Sequence, residues 1–154
     1  MRRYHQCMSP DPASDAVRLL DSAWGDSIPV DPVRIAIRLG IKVREATTLA
    51  SSIPVALVKQ AEEDPVILLN AGDSVNRKRF SCAHALGHFM QEQDEEYCYI
   101  ADRTIFSSHS DYADVFAGVL LMPAWARRGL LSCRDSLELA IRYDIPREVI
   151  AANR

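Results

Sequence analysis

No apolar run in this chain approaches the roughly 20 residues that a bilayer-spanning helix requires, so a helical membrane span is not expected. No C-x-x-C pair occurs among the four cysteines, Cys7, Cys82, Cys98 and Cys133, which are widely scattered. A disulfide framework is therefore not expected, and most of these residues read as reduced, partly buried small apolar side chains. Neither sign of charge dominates: 18 Lys and Arg face 21 Asp and Glu, for a net charge of −3 and a pI near 5.8. That balance gives no general field for polyanions and disfavours direct nucleic-acid binding, although Arg77-Lys78-Arg79 forms a local basic run. The segment after Met1-Arg2-Arg3-Tyr4-His5-Gln6 has no apolar stretch of the secretory kind, so a cytoplasmic location is expected. Repeats, low-complexity tracts and interdomain linkers are also missing. What is present is an ordinary globular composition, 48% apolar and 25% charged, over 154 residues. That length suits one domain with a sizeable core.

Residues 1–12 carry two prolines and little pattern, and read as a loose arm ahead of a single domain over 13–154. Ser14 or Asp15 is placed to cap a first helix whose apolar side holds Val17, Leu19, Leu20 and Trp24. Asp31 and Pro32 then form an N-cap and first helical residue, with Leu39 as the last residue and Gly40 as the stop. Three β-branched runs, Ile41–Glu45, Val55–Lys59 and Val66–Asn70, predict a small sheet. A long helix is predicted from about Ser74 to Gln91, a short strand around Tyr97–Ile100, and a further helix from Asp111 to Met122 ended by Pro123. Two short helices, Asp135–Tyr143 and Pro146–Asn153, close the chain. The fold class is α+β.

His84 and His88 lie four apart on the long helix. At that spacing they project about 40° apart and roughly 6 Å along the axis, so both imidazoles can reach one tetrahedral zinc. The pattern is that of H-E-x-x-H, in which the histidines hold the metal and the Glu is the general base. Here Ala85 occupies the Glu position. Phe80, Ala83, Leu86, Gly87, Phe89 and Met90 would bury one arc of the helix and leave the histidines facing a cleft. Gly87 costs a helix about 1 kcal/mol relative to Ala, which implies close approach by the sheet or a second helix. Taken alone, a His pair on a helix is more often a surface or core pair than a ligand set.

The surrounding residues add to it. Arg79-Phe80-Ser81-x-Ala83-His84-x-Leu86-Gly87-His88 resembles the R-F-[ST]-x-A-H-E-L-G-H segment of the ImmA/IrrE-type metallopeptidases. Tyr112-Ala113-Asp114-Val115-Phe116-Ala117-Gly118-Val119-Leu120-Leu121-Met122-Pro123 is similar to that family's second block, E-x-x-A-N-x-F-A-x-x-L-L-M-P. The stretches Ile28–Val43 and Leu139–Arg154 resemble its opening and closing segments. The resemblance implies a compact, thermolysin-like zincin core in which a small sheet packs on the metal-site helix. It also implies a zinc-dependent endopeptidase whose substrate is a protein, typically a helix-turn-helix repressor or antitoxin-like regulator encoded on a phage or mobile element.

The sequence departs from that pattern twice. A methyl group at Ala85 cannot accept a proton from zinc-bound water, so the chain as written is expected to be inactive as a protease. Glu92 lies roughly 10 Å of helix rise from position 85 and is no substitute. An Ala here suits either a deliberate substitution or a natural pseudo-enzyme. The second departure concerns the third ligand, because the family's Glu position falls on Ser110, a poor zinc ligand and a good N-cap. Asp111 is the nearest carboxylate, with His109 and Cys98 as alternatives whose softer donors suit zinc. Asp111 reads equally as a solvated carboxylate at a helix start. Asp114 is placed to orient a ligating histidine from behind, and Arg79 to support the site. A non-catalytic module that sequesters a regulator through the same cleft is the competing function.

Overall fold

The computed structural model describes residues 11–92, 94–102 and 111–123, apart from the Asp111 side chain. The chain begins with α1 (Pro12–Ala23), and its N-cap is Asp11, whose carboxylate accepts from the Ala13 amide. The expected caps, Ser14 and Asp15, are thus displaced upstream, and the helix takes in a residue assigned to the arm. Pro12 explains this: its fixed φ and missing N–H suit the first helical position. Asp15 turns into the core, while Ala16, Leu19 and Leu20 form the buried stripe. Val17, expected on that stripe, is 43% exposed.

Asp31 caps α2 (Pro32–Arg38), accepting from the amides of Val33 and Arg34. The helix ends in a Schellman arrangement, with Gly40 at φ 81°. The Gly40 amide donates to Ile37 and the Ile41 amide to Ala36, at 3.0 and 2.9 Å. Ile41 is consumed by that cap, so β1 runs Lys42–Ala46, one residue later than its apolar pattern suggests.

Strands β2 (Val55–Lys59), β3 (Val66–Asn70) and β4 (Tyr97–Ile100) match the expected ranges, and the sheet order is β1-β3-β2-β4. β1 lies parallel to β3, while β2 is antiparallel to both β3 and β4. Asn70, buried at the end of β3, donates to the carbonyls of Ala50 and Ile53 and accepts from the Gly72 amide. Those bonds fasten the β1–β2 connection and the turn into the next helix.

That helix, α3 (Val75–Gln91), is capped by Ser74, which accepts from the Arg77 amide. It packs against the sheet through β2 and β3 and against α2 and α4 (Asp111–Leu121) on other sides. Every residue from Ser81 to His88 is consequently buried, so the expected one-sided arc is instead burial all round. α1 lies across α4. There the Tyr112 hydroxyl donates to the buried Asp15 carboxylate at 2.5 Å. Together the elements form an α+β core with the histidine helix at its centre. Among the described residues no helix is long and apolar enough to cross a membrane. The two expected C-terminal helices lie outside the described residues.

Candidate metal centre

Gly87 sets the distance between α3 and α4. A Cβ built on it would stand 2.9 Å from the Ala113 Cα and 3.2 Å from Phe116 Cδ1. No side chain fits that gap without moving backbone, and the close approach brings Asp114 to His84. The His84 Nδ1–H donates to Asp114 Oδ1 at 2.8 Å. The proton is assigned to Nδ1 from the hydrogen-bond pattern, with the carboxylate oxygen as acceptor. Nε2 of His84 points inward, toward His88 and Tyr99.

Nε2 of His88 lies 3.2 Å from Nε2 of His84. Two ligands of a tetrahedral zinc, each about 2.05 Å from the metal, are separated by about 3.3 Å, so this spacing fits a shared ion. Both rings are buried, at 7% and 6% exposure. The cleft expected in front of them is occupied on one side by Tyr99. Its ring stacks on His88 with centroids 3.6 Å apart, and its hydroxyl lies 3.1 Å from His84 Nε2. Burial, and then the neighbouring His84, push the His88 pKa down to about 4, against a smaller opposing pull from Asp114. At neutral pH His88 is an uncharged imidazole, the protonation state a metal ligand needs.

The remaining candidates fall elsewhere. Ala85 is fully buried among the core side chains. Glu92 terminates α3, and its carboxylate accepts from the Asp94 amide. The Arg79 guanidinium donates to the Val30 carbonyl, tying α3 to the chain before α2. Cys98 is not brought to the pair. Side chains alternate along a strand, so Tyr97 and Tyr99 share the half-buried face of β4 while Cys98 is exposed. Asp111 opens α4, and His109 and Ser110 lie outside the described residues. Among the described residues, no third His, Cys, Asp or Glu joins the pair in a metal-sized cluster.

Tyr99 is the site residue that sequence reasoning missed. Two tyrosines at i and i+2 in a four-residue strand were the available signal, since aromatic residues select the covered face. Donor softness favours Cys98, from the same strand, instead.

No curated protein matches the chain. The family model described as the IrrE N-terminal-like domain matches residues 36–153, from the middle of α2 to beyond α4. That match spans both histidines, Asp114 and most of the chain. With a His pair at ligand spacing on a buried helix and a carboxylate behind it, the scaffold is that of a metallopeptidase, and the chain belongs to the IrrE N-terminal-like peptidase family.

Proposed function

We propose that this protein is a zinc-dependent endopeptidase scaffold that takes a protein partner and, with Ala85 at the general-base position, does not cut it. The observation that carries the reading is the 3.2 Å approach of the two Nε2 atoms, with Asp114 fixing the His84 tautomer. His84 and His88 would hold the ion. Asp114 would orient His84, as carboxylates behind metal-bound histidines do. The chemistry supplied by zinc held there is polarisation of a peptide carbonyl and a water pKa lowered toward about 7.

The proton transfers that complete peptide hydrolysis need a base beside that water, and the Ala85 methyl group offers none. Loss of a general base typically reduces the rate about 10²–10⁴-fold. The partner class rests on family resemblance: a DNA-binding repressor or antitoxin-like regulator. Ala85→Glu is expected to give zinc-dependent cleavage of such a regulator when the two are incubated together. Because position 85 is fully buried, folding of the variant is checked by circular dichroism in the same samples. A folded, zinc-loaded Ala85→Glu protein that leaves its regulator intact would falsify the protease reading.

The burial of Ala85 also favours a second reading, in which the chain sequesters the regulator without cleaving it. That reading expects a stable complex with the protein as written. A Glu codon at position 85 of the native gene would end it.

A further inference from the structure

We propose that the Tyr99 hydroxyl oxygen is the third protein donor of this metal centre, completing a His84–His88–Tyr99 set. The inference rests on the metal-binding reading above and adds the ligand that the sequence left undetermined.

Three observations carry it. The first is spacing. The Tyr99 oxygen lies 3.1 Å from His84 Nε2, and His88 Nε2 lies 3.2 Å from the same atom. Both separations are close to the roughly 3.3 Å edge of a tetrahedral zinc site with bonds near 2.05 Å. The second is convergence. With Nδ1 turned to Asp114, the other ring nitrogen of His84 has two polar atoms gathered on it, the Tyr99 oxygen and His88 Nε2. A cation among the three atoms turns that crowding into coordination, with the phenol proton released to solvent as its oxygen bonds the metal.

The third observation is rigidity. Tyr99 is paired opposite Leu57 in the sheet, and Leu57 is fully buried. Its ring is further fixed by the stack on His88. A donor held by strand pairing and ring packing is placed in advance of the metal, as precise sites require. Asp114 is not an alternative third ligand, because its near oxygen is engaged by Nδ1 on the far side of the His84 ring.

The test is zinc titration of the full chain, followed in two ways. A chelator competition gives affinity, and the ultraviolet difference spectrum reports conversion of a tyrosine to a metal-bound tyrosinate. Wild type is expected to show the tyrosinate band at one equivalent of zinc. Tyr99→Phe keeps the stack on His88, and is expected to lose the band and bind zinc at least about tenfold more weakly. His84→Ala is expected to bind no stoichiometric zinc. Weakened affinity in Tyr99→Phe without a tyrosinate band in wild type overturns coordination and leaves Tyr99 a mere neighbour. Unchanged affinity overturns it as well. In both cases the His-pair reading survives, whereas wild type that binds no zinc overturns the two together. The wild-type spectrum decides the matter even if the variant does not fold.

Discussion

At the scale of single residues, Gly87 and His88 make the clearest demands on their neighbours. Gly87→Ala relieves about 1 kcal/mol of helix-propensity cost. It also drives a methyl group to 2.9 Å from the Ala113 Cα, which is backbone and cannot rotate away. Overpacking of this kind costs typically about 1–3 kcal/mol, so clash outweighs propensity. Gly87→Ala is therefore expected to lower the urea midpoint, where propensity alone would raise it.

His88 has its folded pKa near 4, below the usual imidazole value of 6.5. Between those values the unfolded chain binds more protons than the folded one. The stability that neutral His88 permits is complete above about pH 6.5 and is lost as pH falls toward 4. Metal-free protein is expected to lose stability over that window by less than about 1.4 kcal/mol per pH unit. Denaturant midpoints at pH 7, 6 and 5 measure the slope, and His88→Leu is expected to flatten it. No motif foretold the packing at Gly87, whereas the general need for close approach was legible, because a helix interior tolerates Gly only for such a reason.

At the scale of elements, the site depends on where α4 lies, and α4 is held from both sides. α3 grips it through the Gly87 contact, and α1 through the bond from Tyr112 to Asp15. Burial, and then that bond, raise the Tyr112 phenol pKa, so the hydroxyl remains a donor across the accessible pH range. Among the described residues, Tyr112→Phe would leave the Asp15 carboxylate, 3% exposed, with only an Arg18 contact at 3.8 Å. An orphaned buried acceptor costs about 1–3 kcal/mol. The variant is expected to unfold at correspondingly lower urea concentration, with Asp15→Asn, Tyr112→Phe together recovering part of the loss in a double-mutant cycle.

Element boundaries were largely readable, because local chemistry sets them. Asp31-Pro32 and Gly40 bracket α2, Ser74 opens α3, and β2, β3 and β4 keep their expected ends. The exceptions have local causes too. Pro12 moves the α1 start upstream, and the Schellman bond from Ile41 moves β1 one residue along the chain. The identity of Asp15 as a buried hydrogen-bond acceptor was not readable, since its partner is 97 residues away.

At the scale of the whole molecule, the prediction concerns linkage between metal and fold. An ion bound only by the folded state stabilises it by about 2.7 kcal/mol at a concentration 100 times its Kd. For a chain of this size that corresponds to roughly 5–10 °C in Tm. Zinc is expected to raise the Tm of wild type by that order, to leave His84→Ala unmoved, and to act on Asp114→Asn only at about 10–100-fold higher concentration. Differential scanning calorimetry with and without chelator checks all three.

What the sequence determined by itself is what depends on spacing and local chemistry. The helix carrying His84 and His88, the strands around it, the Asp114 block and the missing Glu at position 85 were all legible, because each is a pattern within one element. Tertiary structure alone decided what meets across elements. It selected Tyr99 over Cys98, because only the sheet's register determines which face of β4 looks onto α3. It enclosed Ala85 in the core rather than at an open cleft, because sheet, α2 and α4 surround α3. The 3.2 Å approach of the two imidazoles is a product of both: four-residue spacing makes it reachable, and burial under Tyr99 with Asp114 behind holds it in place.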